Sequence, residues 1–99
     1  MKLLTKAIEK ALPALYSTED TPTADKRAAV KFFTPDSNWT WFAVEGSRQE
    51  DGDMLFFGLV DGFEKEWGYF MLSELSSIRG PMGLPVERDM YYDGEIPVA

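Results

Sequence analysis

The apolar positions of this chain change pattern as one reads along it. Over residues 3–15, Leu3, Leu4, Ala7, Ile8, Ala11, Leu12 and Leu15 recur at the three- and four-residue intervals of one helical face, with Lys2, Lys6 and Lys10 on another stripe. Pro13 has no N–H to donate and disfavours helical geometry at Leu12, so the spacing predicts a break there. The stretch "STEDTPTADKR" is polar throughout and reads as a connection. From Ala28 the pattern turns to strands. "AAVKFFT", "WTWFAVE", "MLFFGLV" and "EWGYFML" read as four strands, separated by "TPDSN", "GSRQEDGD" and the pair Asp61-Gly62.

Asp61-Gly62 is the strongest short hairpin signal, because both residues tolerate the positive φ of a type I′ turn. A two-residue turn there places Val60 opposite Phe63, Phe56 opposite Trp67, Met54 opposite Tyr69 and Gly68 opposite Leu55. "SELSSIRG" reads as a short helix with Ser73 as N-cap and Gly80 past its end. The remaining "PMGLPVERDMYYDGEIPVA" has too much Pro and Gly for a long element, with "VERDMYY" available as an edge strand.

The second strand raises a difficulty. Trp39, Trp41 and Ala43 point one way and Thr40, Phe42 and Val44 the other, so "NWTWFAVEG" is apolar on both faces. A sheet with one wet face alternates apolar and polar positions. Cover is therefore expected on both faces: the N-terminal helix on one, the second helix and the C-terminal arm on the other. A face left partly open suits a homodimer or another partner, for which Trp and Tyr are typical anchors. The expected fold is a single α+β domain over residues 1–99. An N-terminal amphipathic helix packs on an antiparallel meander of four to five strands, with a short second helix and an irregular C-terminal arm.

Composition narrows the chemistry. The 99 residues hold no cysteine and no histidine, which removes thiolate sites, disulfides and the commonest general base and metal ligand. No stretch has the length of a membrane span, and "MKLLTKAIEK" lacks a signal peptide's apolar run, so the expected compartment is the cytoplasm. Net charge is −7 and unevenly spread, +2 over residues 1–31 and −9 over residues 32–99. A field of that sign repels nucleic acid and anionic lipid and attracts basic protein surfaces. It also keeps a small protein soluble.

The meander places Glu45, Glu50, Asp51, Asp53 and Glu74 at one end of the sheet, as an anionic surface for a basic partner or a plain solvated loop. "EDGD" lacks the ligand spacing of a calcium loop, and nothing accompanies the carboxylates that would make an acid/base pair. Ser73, Ser76 and Ser77 have no histidine to activate them. "RGPMGLP" has neither the spacing nor the lysine of a phosphate loop, and its Arg79 suits either a structural carboxylate or a ligand anion.

"ALPALYSTED", "VKFFTPDSNWTWFAVEG", "LFFGLVDGFEKEWGYFMLSEL" and "SSIRGPMGLPVERD" resemble, in order, the successive blocks of a bacterial family of unknown function carried on plasmids, integrative elements and phages. The resemblance runs from about Leu3 to Asp89. It departs after "VEG", where other members often carry a longer insert than "SRQEDGD". The family is similar to a type II anti-CRISPR protein, an inhibitor of Cas9. The resemblance implies a non-enzymatic mobile-element protein with no cofactor and no catalytic residue to carry over. It would act by stoichiometric binding to a basic nucleic-acid-handling protein, the candidate being Cas9 with its guide RNA, and would interfere with target DNA recognition. Cas9 holds nucleic acid in a positively charged channel, which an acidic protein can occupy. The alternative is a nucleic-acid-binding accessory or regulator using Lys2, Lys6, Lys10, Lys26, Arg27 and Lys31.

Overall fold

The computed structural model describes residues 2–96. Its strands are β1 (Val30–Phe33), β2 (Thr40–Arg48), β3 (Met54–Asp61), β4 (Lys65–Met71) and β5 (Glu87–Arg88). They form one five-stranded sheet in the order β4-β3-β2-β1-β5, with every neighbouring pair antiparallel. The helices are α1 (Lys6–Ala11) and α2 (Leu72–Ser77), with a 3₁₀ turn at Thr23–Asp25. The four predicted strands and the edge pairing within "VERDMYY" are all present.

The N-terminal helix differs from expectation. Only six residues are helical, and none of them is buried. Thr5 caps the start, its hydroxyl accepting from Ile8 N–H at 3.2 Å. At the other end Leu12 is extended (ψ 123°) ahead of Pro13, the break its geometry requires. The apolar spacing is real but wraps a single short helix and its flanks: Leu4 and Leu12, just outside it, are the buried side chains. Replacing Thr5 with alanine is expected to cost about 1 kcal/mol, the usual worth of such a cap, read as a lower urea midpoint with unchanged slope.

The Asp61-Gly62 hairpin also differs. Asp61 pairs with Lys65, leaving Gly62, Phe63 and Glu64 as a three-residue loop. Gly62 is not among the positive-φ glycines. It lies flat against Trp39, where a Cβ would come within 2.3 Å of the indole, and Phe63 meets the same ring edge-on at 5.4 Å. The register therefore sits three residues from the one a two-residue turn imposes. An odd displacement moves every side chain of the strand to the other face. Phe56 faces Phe70, Phe57 faces Tyr69, Gly58 faces Gly68 and Leu59 faces Trp67.

That parity decides what covers what. Phe70 joins Val30, Phe32, Trp41, Met54 and Phe56 on the first face. The helix that follows directly from β4 buries Leu75 in this cluster, alongside Leu4, Leu12 and Val86. Both helices thus serve one face, whereas α2 was expected on the other. Its N-cap is Met71 rather than Ser73. The second face is closed by the C-terminal arm, with Tyr92 and Ile96 against Phe42, Val44, Leu59 and Ala28. Loop 80–84 is pinned by a carboxylate other than the expected partner of Arg79. Asp36 accepts from Met82 N–H at 2.8 Å, while Arg79 turns back onto the Ser76 and Ile78 carbonyls.

Candidate functional site

The β2–β3 turn carries most of the acidic residues singled out in the sequence. Gly52 takes the left-handed conformation (φ 89°), and Gln49 N–H donates to the Asp53 carbonyl at 2.8 Å to close the turn. Glu50 and Asp51 ride exposed on its tip. Asp51 accepts from Asp53 N–H at 2.9 Å. Asp53 is committed to structure: Met54 N–H donates to it at 2.8 Å, and Ser73 donates through both its N–H and its hydroxyl. Those hydrogen bonds, Ser73 hydroxyl foremost, together with the nearby Arg48 charge, hold its carboxyl below the usual aspartate range. Ser73 thereby ties the turn to the start of α2, where Glu74 accepts from Met71 N–H at 2.9 Å. Glu50, Asp51, Asp53 and Glu74 thus share one end of the molecule. Among the described residues no three acidic side chains converge as metal ligands would.

Glu45 does not join them. A bulge in β2 shifts the pairing between Ala43, opposite Gly58, and Glu45, opposite Phe57. The carboxylate is buried on the second face, at 3% exposure. There it holds the chain after α1 like a strap: Tyr16 N–H donates at 2.7 Å, and Thr18 donates through its N–H at 3.0 Å and its hydroxyl. Lys26 caps the same strap through the Thr18 carbonyl at 2.6 Å. Burial by itself pushes the Glu45 carboxyl up, but the hydrogen bonds from Thr18 and Tyr16 and the Lys26 charge outweigh it and the net shift is downward. Tyr16, held at φ 69°, is the one non-glycine residue with positive φ among those described.

Beside the strap lies a feature that sequence reasoning missed. Tyr16, Tyr69, Phe57 and Trp67 form a row of rings on the second face, with centroid separations of 6.4, 5.2 and 5.9 Å along the row. Tyr16 and Tyr69 are more than half exposed. Tyr16, Phe57 and Tyr69, with Glu19, Lys26 and Glu45, line a shallow surface pocket. Partial burial, then the nearness of Tyr16 and the charges of Glu45 and Glu19, raise the Tyr69 hydroxyl above the usual tyrosine value. The missing signal was the parity of β4. With the two-residue turn, Trp67 and Tyr69 belong to the core face.

The basic residues are largely occupied. Arg27 pairs with Glu95 at 2.6 Å, Lys31 with Asp89 at 3.6 Å, and Arg48 with Glu9. Of the six cations in the nucleic-acid reading, Lys26, Arg27 and Lys31 are thus engaged within the protein. Lys2 lies outside α1, so only Lys6 and Lys10 make a helical stripe.

No helix among the described residues is long and apolar enough to cross a membrane. A family model described as "Protein of unknown function (DUF2958)" matches residues 3–99. No curated protein and no solved structure matches the chain.

Proposed function

The chain belongs to the DUF2958 family, and we propose that it acts without catalysis, by stoichiometric binding to a basic nucleic-acid-handling protein. The candidate partner is Cas9 with its guide RNA, and the effect is interference with target DNA recognition by a protein carried on a plasmid or phage. The observation that carries this reading is the charge left at the surface. Glu50 and Asp51 stand exposed on the β2–β3 turn, while Lys26, Arg27, Lys31 and Arg48 are hydrogen-bonded or ion-paired to groups of the same chain. The absence of histidine and cysteine from the sequence supports a role that needs no reactive side chain. A positively charged channel such as that of Cas9 attracts an acidic surface, and steering of this kind raises association rates roughly 10–10³-fold.

The test is target-DNA binding by a Cas9–guide complex, titrated with this protein at low and high salt beside a protein-plus-DNA control. Inhibition near a stoichiometric ratio, weakened by salt, with no shift in the control, is the expected result. The double variant Glu50→Lys with Asp51→Asn keeps the acceptor that closes the turn and removes the exposed charge. It is expected to raise the half-inhibiting concentration about tenfold at low salt and to leave thermal stability unchanged. Inhibition that ignores both salt and this variant would sink the acidic-surface mechanism, and a DNA shift by the protein alone would favour an accessory nucleic-acid-binding role.

A further inference from the structure

The sheet ends on β4, a seven-residue strand with no neighbour on its outer side among the described residues. Its backbone polarity follows from the turn before β3. Gln49 N–H donates to the Asp53 carbonyl, so the odd-numbered residues of β3 turn their backbone groups to β2 and the even-numbered ones to β4. Through the observed pairs, Glu66, Gly68 and Phe70 bond β3, while Lys65, Trp67, Tyr69 and Met71 turn N–H and C=O outward. Met71 N–H accordingly donates to Glu74 instead of to β3. Proteins usually blunt such an edge with proline, bulges or inward charges. β4 has no proline and no bulge; its two charged residues, Lys65 and Glu66, both stand at its start, and from Trp67 to Met71 the edge is uncharged.

The outward backbone groups of Trp67 and Tyr69 lie directly beside the ring row of the second face. Charge around the edge is predominantly negative: Glu64 and Glu66 flank Lys65 at one end, Glu74 stands at the other, and Glu19 lies beside Tyr69 over the buried Glu45. Lys26, the cation in that pocket, is already bonded to the Thr18 carbonyl. A second copy of the chain, itself at −7, would set like charge against like.

We infer that the outer edge of β4 is a docking edge for an extended basic segment of the partner protein. The segment adds as a sixth strand on the Trp67 and Tyr69 backbone and lays an arginine or lysine side chain over their rings. This rests on the basic-partner reading above and specifies the surface and the element that meet.

The test is amide hydrogen exchange on the full chain, alone and with a synthetic peptide of alternating arginine and valine, against a matched peptide carrying glutamate for arginine. The arginine peptide is expected to slow exchange at Trp67 and Tyr69 about tenfold or more and to leave Gly68, already bonded to β3, unchanged. Tyr69→Thr keeps a strand-forming residue and is expected to weaken the peptide about tenfold, with the amide spectrum showing the fold intact. No slowing, equal slowing by the glutamate peptide, or protection that grows with protein concentration alone would each overturn the inference, the last by assigning the edge to a second copy. Protection by the arginine peptide without Cas9 inhibition upholds the edge and removes Cas9 as its partner. Cas9 inhibition with Trp67 and Tyr69 still exchanging freely in the complex removes the edge and leaves the inhibitor reading standing.

Discussion

Gly58→Ala is expected to destabilise the domain by about 3 kcal/mol or more, a large share of the roughly 5–15 kcal/mol that holds a domain of this size. A Cβ at Gly58 would stand 1.7 Å from the Phe42 carbonyl oxygen and 2.8 Å from its carbon. Those are backbone atoms of β2, fixed by pairing on both sides, and no rotamer change relieves the clash. The bulge between Ala43 and Glu45 lies against this glycine, so relief means parting β2 from β3 beside the bulge. Gly68, directly across from Gly58 on β4, supplies the control. A Cβ there meets nothing within 4 Å, and Gly68→Ala is expected to stay within about 0.5 kcal/mol of the parent. Urea midpoints of the two variants measure the contrast; similar losses at both positions would refute the account of the bulge.

Glu45→Ala is expected to cost about 3 kcal/mol. The buried carboxylate satisfies the Tyr16 and Thr18 N–H groups and the Thr18 hydroxyl. Its removal strands those donors and loosens the turn that carries Tyr16 at positive φ. Exchange at the Tyr16 and Thr18 amides should quicken before the sheet amides change. The pH dependence carries a definite sign. The folded carboxyl is held below its ordinary value, so the unfolded chain takes up protons first as pH falls. The stabilisation is fully present above the unfolded glutamate value of about 4.3 and is lost as pH drops through the lower folded value. Glu45→Gln, which cannot ionise, should show a flatter decline of stability across that acid window. Asp53 is also depressed and contributes its own slope to both proteins, so the difference between them isolates Glu45. Parallel acid curves would refute the role given to this carboxylate.

The candidate site was legible only in its outline. Acidic residues between β2 and β3 announce an anionic turn, and Glu50 and Asp51 do stand exposed there. Glu45 reads the same way in sequence, as one more acidic residue where a strand gives way to a loop. A single-residue bulge leaves no mark on the pattern, yet it carries Glu45 onto the second face as a buried acceptor. The chain contains the pair Asp-Gly at 51–52, 61–62 and 93–94. Local chemistry ranks 61–62 first, because apolar strands flank it closely. Gly52 and Gly94 adopt the left-handed conformation instead, while Gly62 is pressed against Trp39.

Turn residues, apolar runs and composition by themselves determined that this chain builds an antiparallel sheet apolar on both faces, breaks its first helix ahead of Pro13, and contains neither histidine nor cysteine. These follow from neighbours in sequence: a turn between apolar runs, a missing N–H, an absent residue type. Only the tertiary structure decided the register of β4, the shared face of the two helices and the ring row beside an open edge. They depend on contacts made far along the chain, such as the packing of Gly62 and Phe63 in the hairpin loop against the Trp39 indole. Because side chains alternate with a period of two, the length of that one loop settles which half of β4 is core and which half is surface.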